Sequence, residues 1–449
     1  MGCAMKRAVV AVAVAFTAGL LCVVAPCAAK EPEKRREKPK PETQRVESTG
    51  KFAFTRLERA QKALADGKPN EALAALNELQ AKVESLSDHE KAMMWQTFAY
   101  AYSALERYGP AADAFEKCLA LNVLPPASVL NARYNLAQLY LVQENYGKAI
   151  ENFEIWFKSA ENPNADAYYM LAAAYAQAER PREALPYALK AVSKAPSPKE
   201  AWLQLVLSLQ FQLNQHRDAA ETLQKLIAHF PKKSYWMQLA AAYTEVEDMK
   251  KALATLELAE RQGFLTSENE LRNLIQLYLL NDIPYRAAQA IETAIAKGRL
   301  ANDAKNQELL ANTWLQARDR ERAIGPLERA AEMSGDGNLY VRLGQVHVSE
   351  ERWDAARVAL SKALQKGGLR DTGNVHLMLG IANASEERWK EAESAFRAAG
   401  KYDQSARAAA QWLDHISEEL TLADYEKDLE NAARDREPRD PGAGAGGPS

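Results

Sequence analysis

The chain has 449 residues, 47% of them hydrophobic and 26% charged, and its 57 basic and 60 acidic residues leave a net charge of −3. That balance gives no general reason to expect nucleic acid or acidic partners. Ala, Leu, Glu and Lys dominate and alternating β-branched runs are scarce after residue 30, which predicts an all-α protein.

The chain opens with a targeting segment over residues 1–29. Met5, Lys6 and Arg7 precede an apolar run from Ala8 to Ala25, and Pro26-Cys27-Ala28-Ala29 offers small residues for a cut before Lys30. This is the layout of a cleavable secretory signal peptide. Residues 8–25 are also just long enough to span a bilayer, and uncleaved they would leave the protein anchored in the inner membrane. Cys22 follows Leu21 and Cys27 follows Pro26, and neither preceding residue is the small one that lipid attachment wants. Of four cysteines only Cys118 lies beyond the segment, so no internal disulfide is expected. On an apolar helical face Cys118 reads as a small packed residue.

Residues 30–52 form a charged linker. Between residues 30 and 51 there are three prolines, eight basic and five acidic residues. Such a stretch buries too little apolar area to order itself. Its interspersed glutamates weaken the alternative of a basic arm for an anionic membrane.

From residue 53 to 400 one pattern recurs, and Leu130 to Pro163 shows it well. Arg133, Leu136, Ala137 and Tyr140 share one helical face, Asn145 and Gly147 mark a turn, and Ala149, Phe153 and Trp156 share the face of a second helix. Two short helices with one apolar stripe each need neighbours to cover them. The neighbours are legible as an alanine early in each second helix: Ala72, Ala111, Ala149, Ala184, Ala219, Ala252, Ala287, Ala323, Ala356 and Ala392, at intervals of 33 to 39 residues. Alanine suits a close helix crossing. Upstream lies a large residue, a small one and usually an aromatic one turn later, as in Leu171-Ala172 with Tyr175 and Leu239-Ala240 with Tyr243. Gln210 takes the aromatic place in the fifth unit, and Arg59-Ala60 replaces the large-small pair in the first. A bulky residue follows most of these alanines by four, for example Phe115, Phe153, Leu327 and Phe396.

Tyr402 to Ile416 predicts one more helix, carrying Ala406, Ala409, Trp412 and Leu413, which would cap the array over residues 401–416. Residues 417–449 follow as an acidic helix and a flexible Gly- and Pro-rich tail; between 417 and 440 there are nine acidic against four basic residues.

The large-small-aromatic, then alanine grammar, repeated ten times, resembles the tetratricopeptide repeat. That resemblance implies an α-solenoid of about ten helix-turn-helix units whose first helices line a groove through the second, fifth, sixth and ninth positions of each unit. Those positions give Tyr100, Tyr134, Asn135, Gln138, Tyr169, Gln204, Gln238, Arg272, Asn273, Gln276, Asn312, Arg342 and Gln345. Amides donate and accept at once, which suits the backbone of an extended peptide, and tyrosines add apolar area with a polar tip. The lysine and asparagine of the family's chaperone-tail clamp occur together in no unit, so capture of an acidic C-terminus by that route is not expected.

No catalytic or metal motif emerges, and no cofactor is expected. The six histidines form no HExxH helix, and neither a CxxC pair nor a Gly-rich phosphate loop is present. His347 and His376 read as packing residues in adjacent stripes. Glu351-Arg352-Trp353 and Glu387-Arg388-Trp389 fall in turns within repeats and read as structure.

Five blocks go beyond the generic repeat: ENPNADAYYMLAAAYAQ from Glu161, FPKKSYWMQLAAAYTE from Phe230, QGFLTSENELRNLIQLYLLNDIPYRAAQAIE from Gln262, AKNQELLANTWLQARDRERAI from Ala304 and SARAAAQWLDHI from Ser405. They resemble the secreted tetratricopeptide proteins of TonB energy-transduction loci, which sit alongside ExbB- and ExbD-type subunits. The resemblance implies a periplasmic, non-enzymatic scaffold that binds a protein or peptide segment, with TonB, ExbB or ExbD-type proteins as partners and contact with the membrane only through them. A scaffold for cell-envelope or polysaccharide assembly is the alternative, because groove tyrosines also suit sugars.

Overall fold

The computed structural model describes residues 50–434. The expected signal segment, the expected linker as far as residue 49 and the tail from residue 435 lie outside the described residues.

Ten helix pairs follow one another. Unit one pairs α1 (Lys51–Ala65) with α2 (Pro69–Gln80), and unit two α3 (Asp88–Ala104) with α4 (Tyr108–Ala120). Units three to five are α5 (Pro126–Val142) with α6 (Tyr146–Ser159), α7 (Ala165–Gln177) with α8 (Pro181–Lys194), and α9 (Glu200–Gln212) with α10 (His216–His229). Units six and seven are α11 (Lys233–Glu245) with α12 (Met249–Arg261), and α13 (Glu268–Leu280) with α14 (Pro284–Ala296). Units eight to ten are α15 (Ala304–Gln316) with α16 (Arg320–Met333), α17 (Asn338–Ser349) with α18 (Trp353–Lys366), and α19 (Thr372–Ala384) with α20 (Trp389–Ala399). The last helix, α21, runs unbroken from Asp403 to Arg434, so the cap and the acidic segment are continuous. Each second helix packs on its partner and on the first helix of the next unit, which makes an α-solenoid. No strand occurs among the described residues.

The ten alanines sit where the two helices of a unit cross, and none exposes any surface. At the facing small position, units nine and ten use glycine. A Cβ on Gly344 would stand 2.7 Å from Leu360, and one on Gly380 would stand 2.5 Å from Phe396. These helices therefore approach too closely for even a methyl group.

The turn inside each unit is uniform in a way its residues do not advertise. Five residues before each alanine the backbone is left-handed, at Gly67 in unit one but at non-glycine residues such as Glu144, Glu351 and Glu387 in the others. A non-glycine residue there costs about 1–2 kcal/mol. Offsetting it, the next residue's N–H reaches back five residues to close the helix end: Asn145 to Tyr140 at 2.8 Å, Arg352 to His347 at 2.9 Å and Arg388 to Asn383 at 2.9 Å. Both Glu-Arg-Trp motifs are these turns, with Trp353 and Trp389 opening the second helices.

In units three, four, six and seven the tyrosine near the end of the first helix straps its unit to the one before. Tyr140 donates to Glu116 and Tyr175 to Glu154. Tyr278 donates to Glu257 at 2.7 Å, and Gln224 donates to the Tyr243 hydroxyl at 2.6 Å. The acceptor or amide always lies five residues beyond the crossing alanine of the preceding unit. Burial first, then the adjacent carboxylate, pushes the Tyr140, Tyr175 and Tyr278 hydroxyls up, so they remain protonated donors. Beyond unit one, three units have no tyrosine or tryptophan at this place. Gln210 turns instead to Thr222 of its own unit, at 2.8 Å. His347 Nδ1 and Asn383 Oδ1 are buried without a hydrogen-bond partner.

Beyond unit ten, α21 packs on α20 and across α19. Ile416 is fully buried, and Trp412, Leu413 and Leu420 pack with Leu377 and Ile381 of α19 and Phe396 of α20. The Trp412 and Phe396 rings stack at 5.4 Å, nearly parallel.

Candidate binding surface on the first helices

First helices of neighbouring units touch one another directly, as α1 does α3, α7 does α9 and α17 does α19. Their side chains beyond the packed stripes therefore share one face of the solenoid, which we call the inner face. All thirteen residues expected to line a groove lie on first helices, and none is fully buried.

The structure divides them into two groups. In units two to four the face is aromatic. Tyr100 is 37% exposed, and its ring meets Phe115 edge-on at 5.4 Å. The Tyr134 ring lies 4.9 Å from Trp156 and 5.8 Å from Phe153, and Tyr169 lies 6.0 Å from Trp202. Each tyrosine is thus backed by a second ring that fixes it in place. Trp156 is the unexpected member. Seven residues after the crossing alanine, later units place Ala191, Ala259, Ala294, Ala330, Ala363 and Ala399, but unit three places a tryptophan. Asn135 and Gln138 fill the spaces between rings, and Gln138 and Tyr134 both reach Met170 Sδ, at 3.2 and 3.5 Å.

From unit five onward the face turns to amides and paired charges. Gln204 donates to the Tyr235 hydroxyl at 2.7 Å. Arg272 bonds Glu268 at 2.6 Å and Asn306 at 2.8 Å. Arg342 bonds Asn312 at 2.5 Å and lies 3.3 Å from Glu308. The two arginines are consequently occupied rather than presented as free cations. Gln238, Asn273, Gln276 and Gln345 are exposed. Unit ten has Leu377 and Ile381 on this face, and α21 covers them.

The remaining chemical candidates belong to packing. Cys118 is buried, and loss of hydration pushes its thiol up to about 12, which leaves it unreactive as a nucleophile. His376 stacks on Tyr402 at 6.3 Å. His347 is buried near Arg352, Glu328 and Glu321; burial, then Arg352, holds its imidazole below the ordinary range. Among the described residues no group of three or more His, Cys, Asp and Glu is placed to hold a metal ion. No helix among them is long and apolar enough to cross a membrane.

Fold and surface together define a helical-repeat binding protein. A tetratricopeptide repeat model matches residues 97–156, 134–201, 208–263 and 341–409, and the chain belongs to that family. Among solved structures the chain is similar to YrrB, described as a TPR protein with an unusual peptide-binding site, at 22% identity over 39% of this chain and 88% of that one, with a TM-score of 0.33. It is similar to MamA from Desulfovibrio magneticus RS-1 at 25% identity over 40% and 96%, with a TM-score of 0.34. It is also similar to a chain of Naa15/Naa10 bound to HypK, at 12% identity over 87% and 69%, with a TM-score of 0.39. No curated protein matches it.

Proposed function

We propose that this protein is a non-enzymatic periplasmic scaffold that holds a protein partner on the inner face of its first helices, as an accessory of TonB-dependent outer-membrane transport. The observation that carries the binding part is the inner face itself. From unit two to unit nine it displays ring-backed tyrosines and exposed amides that no other element of the described chain covers. Such a face matches the alternating donors and acceptors of a peptide backbone. Recognition requires no bond to be made or broken, in keeping with a fold that typically serves as a non-catalytic scaffold.

The TonB part rests on the five sequence blocks quoted above, and the periplasmic part on the N-terminal signal pattern with them. TonB, ExbB and ExbD-type proteins are the partners this reading names. The test is co-purification from cross-linked cell envelopes. Loss of either amide alone should leave recovery intact, whereas Asn273→Ala with Gln276→Ala should lower it. Recovery unchanged in the double variant contradicts the binding face. Recovery of partners unrelated to the TonB machinery contradicts the assignment to transport.

A further inference from the structure

The inner face is not uniform, and its division points to a ligand chemistry. Three tyrosines on consecutive first helices, Tyr100, Tyr134 and Tyr169, are each held by a second aromatic ring. Beside them stand the amides Asn135, Gln138 and Gln204, with no free charge between. The carboxylates at this end of the face are already neutralised: Asp166 by Lys199 at 2.6 Å and Glu200 by Lys232 at 2.6 Å. A charged ligand would lose hydration here and meet no unpaired counter-charge. An uncharged one loses little and gains ring contact and amide hydrogen bonds.

Spacing narrows the choice further. Packed helices stand roughly 10 Å apart, and side chains of α5 and α7 meet directly, as Tyr134 and Gln138 do Met170. A polyproline II strand advances about 9 Å per three-residue turn, so one proline per turn would meet one tyrosine per repeat. Such a strand has no internal hydrogen bonds, and its free carbonyls are the acceptors that side-chain amides satisfy.

We propose that units two to five bind an extended, uncharged, proline-containing peptide segment, with its rings on Tyr100, Tyr134 and Tyr169 and its carbonyls taking the amides of Gln138 and Gln204 in exchange for their bonds to Met170 and Tyr235. This deepens the partner-binding reading and rests on it.

The test uses fluorescence anisotropy with the full chain and a labelled peptide of alternating proline and glutamine. Matched peptides carry lysine or glutamate in place of glutamine. The neutral peptide should bind, and both charged ones should bind at least about tenfold more weakly. The pair Gln138→Glu and Gln204→Glu should weaken the neutral peptide by about tenfold and favour the lysine peptide. The pair Lys225→Gln and Lys250→Gln, on second helices and with the same change in net charge, should change neither. Thermal melts confirm that each variant is folded. Equal binding of charged and neutral peptides, or indifference to the first pair, overturns the proposal. Binding of a neutral oligosaccharide in place of the peptide also overturns it and assigns the tyrosines to sugar. If peptide binding fails while envelope co-purification still depends on Asn273 and Gln276, this proposal falls and the wider reading stands. If co-purification is indifferent to both halves of the face, the wider reading falls.

Discussion

Units three, four, six and seven, on one side, and units nine and ten, on the other, are built from one grammar but are stabilised differently. In the first group, tyrosines such as Tyr140, Tyr175 and Tyr278 bind a carboxylate of the preceding unit, and the inner face carries amides and backed rings. In the second group, His347 and Asn383 stand in the strap position and leave buried polar atoms unpaired. The inner face of unit ten is apolar and lies under α21. The difference shows where each region draws its stability. The middle units tie neighbour to neighbour and need nothing across their inner face, which stays open for a partner. The last two units have weaker ties, and unit ten has a face that must be covered, for which α21 supplies the cover in cis.

The comparison can be broken most forcefully at its C-terminal end. Trp412→Ala removes the ring stacked on Phe396 and should cost about 2–4 kcal/mol. Contacts in a repeat array reach only nearest neighbours, so hydrogen exchange should accelerate in α19 and α20 but not in α5 to α10. Uniform acceleration along the chain would show that the two regions are not separately held.

A second test repairs the missing strap. His347→Tyr should place a hydroxyl toward Glu328, as Tyr278 does toward Glu257, and stabilise unit nine by about 1–2 kcal/mol. The histidine also predicts a pH dependence. Its folded pKa is depressed, so above the ordinary value of about 6.5 both folded and unfolded forms are neutral. As pH falls below that value the unfolded chain takes the proton first, and stability declines until the folded imidazole also titrates. The tyrosine variant should lose this decline in urea titrations between neutral pH and pH 5. An unchanged slope would assign the decline to other groups.

Smaller effects belong to the middle units. Ser267 caps α13 by accepting from the Glu270 N–H while Glu270 accepts from the Ser267 N–H. Ser267→Ala should cost about 1 kcal/mol. Although burial opposes it, Lys233 and the N–H groups of Ser267 and Thr266 draw the Glu270 carboxyl down to about 2. The stability it adds is present above the ordinary carboxylate range and is lost as pH falls from there toward 2. Smallest of all, Gln276→Ala on the open inner face should shift stability by no more than about 0.5 kcal/mol. A larger loss would mean that the residue serves packing rather than recognition.

The repeat was legible because one demand recurs: a helix crossing that only alanine fits, marked from Ala72 to Ala392. The first-helix location of the thirteen inner-face residues followed from the same register. Other features were hidden for physical reasons. The left-handed turn is usually announced by glycine or asparagine, but here Glu144 and Glu387 occupy it, held by a backbone bond that side chains do not reveal. The straps join residues of different units, so Glu116 looks like any solvated glutamate until Tyr140 is placed against it. Arg272 and Arg342 read as presented side chains because their partners, Glu268, Asn306, Glu308 and Asn312, are brought to them by helix packing. The sequence predicts a cap over residues 401–416 and an acidic helix after it, but nothing in it marked that the two run on as the single helix α21.

The central claim is that partners are held on the inner face of the first helices. A photo-crosslinking amino acid at Gln204 on α9, compared with one at Lys225 on the second helix α10, tests it in intact cells. The account predicts a covalent protein adduct from Gln204 that is absent from Lys225. Adducts from Lys225 alone would place the working surface on the second helices and contradict it.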